Sequence, residues 1–363
     1  MEISWRTRGK TPDNAAMGCL SPGRRASTAL NRSFSLLAGL SLAVSGCAGK
    51  EGLVREEVRI PDEKGTLAGV LDLPPGPGPH PAILIVPGSG PATRGFPMYA
   101  ALAEHWVNRG FAVLRYDKRG TGGSAGDWTR ESFQDRADDV VAWTTYLRGR
   151  ADIRTDRVGL CGHSQGGWIA PLAAASAPRD VAFLLILAGA AVTPAGQDLS
   201  STRHRLLQAG FEEGAAAEAV AFKRALHDLA RQGKVEEAEV ARLLKGAARS
   251  PWFSIVCPPE LKIEELCGLM RYLALIMDHD PLPVLERVTC PVLAVFGEKD
   301  PFVDPGENAG RMEGALRKGS RDVTLAIVPG AGHRLEPAGA TEAGFAEGAL
   351  NTMDDWLEGR ASR

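Results

Sequence analysis

Short runs of almost unbroken apolar residues recur along this chain, and they restrict its fold more than any other feature. The runs Pro81 to Val86, Phe111 to Asp117, Arg157 to Gly162, Val181 to Ala188 and Pro291 to Phe296 are dominated by aliphatic and aromatic side chains. A strand points successive side chains to opposite faces, so a strand that is apolar throughout needs cover on both faces. Leu53 to Pro61, Thr66 to Leu73 and Val323 to Val328 are further strand candidates. Helical patterns fall between them at Met98 to Asn108, Ser132 to Leu147, Gln165 to Ser176, Pro305 to Lys318 and Thr341 to Leu357. Asp304 followed by Pro305 is a helix start, with the carboxylate as cap and the proline in the first turn. Such alternation predicts an α/β fold: a mostly parallel eight-stranded sheet with helices on both faces.

One segment departs from the alternation. Residues 193–288 carry little strand signal but several amphipathic stretches, including Ala215 to Arg231 and Val235 to Leu244. An insertion of this kind predicts a helical cap over the carboxyl ends of the strands, where ligands bind in open α/β folds. The expected organisation is a leader over 1–46, a tether over 47–54, core over 55–192 and 289–363, and the cap between. With 363 residues and 44% hydrophobic content, the chain can bury one large core or two moderate ones. Its net charge of −2 supplies no basic field, which argues against nucleic acid as a partner.

The amino terminus reads as targeting sequence. Arg24, Arg25 and Arg32 precede an apolar stretch from Phe34 to Val44 that is too short to span a bilayer. Val44-Ser45-Gly46-Cys47 then resembles a bacterial lipobox, which implies lipid attachment at Cys47 and an exported protein anchored at the cell envelope. An ordinary secretory signal is the alternative, and Met17 is an alternative start. Of the other cysteines, Cys161 and Cys290 lie in apolar runs, whereas Cys257 and Cys267 could pair or stay reduced.

The chemistry is concentrated at Gly162-His163-Ser164-Gln165-Gly166. Gly-x-Ser-x-Gly between a strand and a helix is the pattern of a nucleophile elbow, a strained turn that lifts the serine oxygen clear of the sheet. A serine hydroxyl is a weak nucleophile, so a base must take its proton and a third group must orient that base. Asp300, after the apolar run ending at Phe296, and His333, after the run ending at Val328, supply both in the expected chain order. Asp304 and Glu298 compete for the acid role, but Asp304 is explained as a helix cap and Glu298 as a solvent-facing side chain. His163 fits local packing better than a base role. His279, in Asp278-His279-Asp280, is read as a solvated helix end rather than a metal ligand. His80, His105, His204 and His227 belong to no motif.

The oxyanion formed by attack needs donors already in place. The backbone N–H of Gln165 is one. The loop Val86-Pro87-Gly88-Ser89-Gly90-Pro91 offers the other, Ser89 first and Gly88 next. Gly120-Thr121-Gly122-Gly123-Ser124-Ala125 loosely matches a dinucleotide fingerprint, but no helix opens directly on its glycines, so no organic cofactor is expected. No spacing suggests a metal site.

Together, Pro87 to Pro91, Tyr116-Asp117-Lys118-Arg119-Gly120-Thr121-Gly122-Gly123-Ser124, the Gly162 to Gly166 elbow, Asp280-Pro281-Leu282-Pro283, Gly297-Glu298-Lys299-Asp300 and Gly332-His333 resemble the α/β-hydrolase superfamily. Within it they are similar to capped bacterial serine esterases related to acyl-thioesterases and prolyl-oligopeptidase-type peptidases. The resemblance covers roughly residues 55 to 360. It implies that Asp117 and Arg119 organise a loop near the site, and Pro87 replaces the histidine usual in the oxyanion loop. The expected activity is hydrolysis of a small ester with an apolar acyl group through an acyl-enzyme. Thioester or peptide cleavage by the same residues and a non-catalytic binding protein are the alternatives.

Overall fold

The computed structural model describes residues 53–257, 261–340 and 344–361. The predicted leader, with Cys47, lies outside them.

Eight strands form one sheet in the order β1-β2-β4-β3-β5-β6-β7-β8. They are β1 (Val54–Ile60), β2 (Leu67–Leu73), β3 (His80–Val86), β4 (Ala112–Tyr116), β5 (Ile153–His163), β6 (Phe183–Leu187), β7 (Val292–Gly297) and β8 (Val323–Val328). β1 pairs with β2, and β2 with β4, antiparallel; every pairing from β4 to β8 is parallel. The helices are α1 (Pro97–Val107), α2 (Phe133–Arg148), α3 (Gly166–Ser176), α4 (Pro194–Gln208), α5 (Glu213–Arg231), α6 (Glu237–Ala247), α7 (Phe253–Val256), α8 (Ile263–Ile276), α9 (Leu282–Leu285), α10 (Pro305–Gly319) and α11 (Ala349–Ala361).

The apolar runs are explained by two cores, one on each face of the sheet. Along β3, Ile83 and Ile85 face a cluster with Leu102 and Trp106 of α1 and Trp356 of α11. Their neighbours Leu84 and Val86 face a cluster that includes Trp143 of α2 and Ile169 of α3. Each side chain packs on the face its parity selects, which is why no position in the centre of the strand could be polar.

Local sequence sets the helix starts as expected. Ser132 and Asp135 close a capping box on α2, and the Asp304 carboxylate accepts the Gly306 N–H at 2.9 Å to open α10 behind Pro305. The six helices α4 to α9 lie between β6 and β7 in sequence. α8 of this insertion reaches the carboxyl end of β5, where the Tyr272 hydroxyl accepts from Gln165 Nε2 at 3.0 Å.

Two element starts differ from the sequence reading by more than two residues. β5 begins at Ile153, four residues before Arg157, because its exposed first half pairs at His80 with no apolar pattern to announce it. The last helix starts at Ala349, not near Thr341. Phe345 and Ala346 are outside any helix, Gly348 has φ +80°, and the Ala346 N–H bonds the Leu335 carbonyl at 2.7 Å. That stretch braces the loop carrying His333 instead of extending the helix. His279 is also not solvated: it is half-buried, with its ring edge-on to Phe133 at 5.3 Å. Cys257 and Cys267 are both buried free thiols.

Candidate active site

Ser164 sits in the turn between β5 and α3 with φ +52°, a conformation that a side chain bearing a Cβ rarely adopts. The turn is possible only because its flanking residues lack Cβ atoms. A Cβ on Gly162 would stand 2.2 Å from the Gly166 carbonyl oxygen, and one on Gly166 would stand 2.2 Å from that of Val86. The Ser164 N–H is tied to the Leu187 carbonyl at 2.9 Å, which fixes the turn to the neighbouring strand end.

The three distant side chains named by the sequence are brought into one line. Ser164 Oγ lies 2.8 Å from His333 Nε2, and His333 Nδ1 lies 2.8 Å from Asp300 Oδ2. A carboxylate only accepts, so Nδ1 carries the proton and Nε2 is left to accept from the serine hydroxyl. Asp300 is buried, and its other oxygen takes the N–H groups of Phe302 at 2.8 Å and Val303 at 3.0 Å. The carboxylate is thereby locked in rotation before it meets the histidine. Glu298 is exposed and accepts the Gly330 N–H at 2.9 Å, away from the line.

The β3 loop lies against the serine. A Cβ on Gly88 would be 3.3 Å from Ser164 Cβ. The Gly88 N–H donates to the Tyr99 hydroxyl at 2.8 Å. Neither the Ser89 nor the Gln165 N–H has an acceptor among the described residues. The glycine-rich loop after β4 wraps round Asp117, whose carboxylate accepts the N–H groups of Arg94 at 2.8 Å and Gly123 at 2.7 Å. Arg119 pairs with Asp62, Glu131 and Asp139.

Sequence reasoning passed over four residues of this region. Lys118 is buried, and its Nζ donates to the carbonyls of Gly88 and Gly90 and to Gln165 Oε1. Burial, with the neighbouring Arg136 guanidinium, holds its amine well below the usual lysine range. Arg136 also donates to Gln165 Oε1, and it stacks over Tyr272 at 5.0 Å and Trp128 at 5.6 Å. Tyr99 and Tyr272 complete the set. The signal for Arg136 was an arginine on the apolar stripe of α2, beside Phe133, Ala137 and Val140; for Lys118 it was a lysine just beyond a fully buried strand.

The sequence profile of the family described as X-Pro dipeptidyl-peptidase (S15 family) matches residues 66–311. The chain belongs to this S15 family. The matched stretch of the S15 chain contains Ser164 and Asp300, and His333 follows it. Esterase EstD of Thermotoga maritima is 25% identical over 239 residues, 64% of this chain and 50% of that protein, so the S15 chain spans about half the length of the curated relative it matches. Among solved structures, the alpha/beta hydrolase GrgF from Penicillium sp. sh18 superposes with a TM-score of 0.54 at 19% identity, over 86% of this chain and 100% of that one. Est1E from Butyrivibrio proteoclasticus with bound ferulic acid gives 0.54 at 18% identity, over 84% and 100%. The Pyrococcus furiosus esterase Pf2001 gives 0.54 at 14% identity, over 85% and 94%. The S15 chain thus has the α/β-hydrolase fold.

Proposed function

We propose that this chain is a serine hydrolase that cleaves carboxylic esters through an acyl-enzyme. The observation that carries the reading is the unbroken line of hydrogen bonds from Ser164 Oγ through His333 to Asp300, each 2.8 Å long. In this reading Ser164 Oγ attacks the ester carbonyl carbon while its proton passes to His333 Nε2. Asp300 holds the imidazole in the tautomer that can accept it and stabilises the imidazolium. The C–O bond to the alcohol breaks as His333 returns the proton to the leaving oxygen, and water repeats the sequence to release the acid. The Gln165 and Ser89 N–H groups are assigned to the developing oxyanion. Ser89 is preferred to Gly88 because the Gly88 N–H is already committed to Tyr99. No step of this mechanism requires a metal or organic cofactor.

The esterase names of the sequence relative and of the Pyrococcus furiosus structural neighbour support an ester substrate. The family description favours a second reading, cleavage after an X-Pro dipeptide, by the same residues. Turnover of a p-nitrophenyl ester series, matching thioesters and an X-Pro p-nitroanilide distinguishes them. Ser164→Ala is expected to lower ester hydrolysis by roughly 10⁴-fold or more while circular dichroism is unchanged. Full activity in that variant would refute the assignment.

The leader is part of the same proposal. Lipid attachment at Cys47 and export to the cell envelope rest on the lipobox-like sequence alone. Incorporation of labelled palmitate that is lost in Cys47→Ser tests them.

A further inference from the structure

We infer that Lys118 is a positioning residue that aims the Ser89 N–H at the oxyanion; the inference rests on the serine-hydrolase reading and adds a residue to it. Lys118 Nζ lies within hydrogen-bond reach of three acceptors: the Gly88 carbonyl, the Gly90 carbonyl at 3.0 Å and Gln165 Oε1 at 3.4 Å. The two carbonyls flank Ser89.

The consequence follows from peptide geometry. The Gly88 C=O and the Ser89 N–H belong to one planar trans unit, in which they point in opposite directions. Lys118 is only 4% exposed and holds the carbonyl from the protein interior. The Ser89 N–H therefore leaves the opposite edge of the plane, on a loop so near the serine that a Cβ added at Gly88 would stand 3.3 Å from Ser164 Cβ. The loop has few other restraints at this point, because two of its five residues are glycines and two are prolines, which have no N–H to anchor. Tyr99 fixes the unit before it by accepting the Gly88 N–H, so the peptide planes on both sides of Gly88 are held. Through Gln165 Oε1 the same amine reaches the residue that bears the other donor. The Gln165 amide is oriented in turn by Arg136 on its oxygen and Tyr272 on its nitrogen. One buried amine thus connects both proposed donor-bearing residues to each other and, through Gln165, to α8.

The test uses the full chain and p-nitrophenyl butyrate. Lys118→Met is expected to lower kcat about 10²-fold, the loss typical of one misplaced oxyanion donor, with KM within about threefold. Affinity for an alkyl boronic acid, which forms a tetrahedral adduct on Ser164, should fall in parallel with kcat/KM. Lys118→Arg, which retains N–H donors at the end of a long side chain, should recover at least part of that loss. A Lys118→Met chain that folds and keeps kcat, or that loses kcat without losing boronate affinity, overturns the inference. Should the variants fail to fold, the unmodified chain decides: the Ser89 amide proton must move downfield on boronate binding, and an unmoved resonance overturns it. Failure of the underlying reading shows separately, as an unmodified chain without Ser164-dependent turnover.

Discussion

The Tyr99 hydroxyl lies 3.1 Å from Nδ1 of His163, and the carbonyl at the ring's other nitrogen fixes which of the two carries the proton. His163 Nε2 faces the His333 carbonyl at 3.2 Å, which can only accept, so Nε2 is protonated and Nδ1 accepts from Tyr99. The Tyr99 oxygen in turn accepts the Gly88 N–H. One neutral imidazole therefore ties the β3 loop to the loop that carries His333.

Tyr99→Phe removes the central oxygen of this chain while keeping the ring. Two buried groups, the Gly88 N–H and His163 Nδ1, lose their partner, at a cost of about 1–3 kcal/mol each. A melting temperature lowered accordingly, with kcat reduced roughly tenfold as the β3 loop loosens, is the expected outcome. Unchanged kinetics would show that the linkage does not reach the site.

His163 should also shape the acid limb of stability. Burial, with the adjacent His333, lowers its pKa from the ordinary 6.5 to about 3. As pH falls from 6.5 towards 3, the unfolded chain takes up a proton that the folded chain refuses, so stability declines across that window. At pH 5 the loss is about 2 kcal/mol, at about 1.36 kcal/mol per pH unit. His163→Gln should lose less stability between pH 7 and pH 5 by about that amount in denaturant titrations; an identical decline in both chains would contradict the assignment.

Glu131 acts with the opposite sign. Burial, reinforced by Asp139, raises its carboxyl from 4.5 to about 7, although Arg119 Nε lies 3.1 Å from Oε1. Between pH 4.5 and 7 the folded chain holds the proton that the unfolded chain has released, so stability falls as pH rises through this range. Glu131→Gln should abolish that fall and melt higher than the unmodified chain at pH 8. A lower melting point at pH 8 would mean that the ion pair with Arg119 outweighs the burial penalty.

Asp300→Asn tests the orientation of the base. Because Oδ1 is pinned by two backbone N–H groups, the new amide must present its NH₂ to His333 Nδ1. The imidazole is then forced into the tautomer with its proton on Nε2, facing Ser164, and cannot accept the hydroxyl proton. Loss of about 10⁴-fold in kcat with an intact fold is expected, by analogy with the serine protease triad. A variant retaining a tenth of the activity would remove Asp300 from the mechanism.

The central strands β2, β3, β4, β6 and β7 were legible in the sequence because burial on both faces leaves a local mark: the side chains must be apolar whichever way they point. Ser164 was legible for a similar reason, since its strained turn excludes a Cβ at Gly162 and Gly166 and so writes itself into five consecutive residues. Where backbone conformation was set by partners far along the chain, the reading failed. The helix expected from Thr341 begins at Ala349 because Ala346 bonds Leu335, and His279 packs on Phe133 although its neighbours are acidic.

The sequence by itself determined the fold class, the elbow and the order of the hydroxyl, carboxyl and imidazole, because each follows from steric or hydrophobic demands that act within a few residues. Tertiary structure alone decided that Ser164 and His333, separated by 169 positions, share a hydrogen bond, that Gly88 gives its N–H to Tyr99, and that Lys118 lies beneath the loop. Those contacts depend on distance and direction between strand ends, and no local pattern of residue types encodes either.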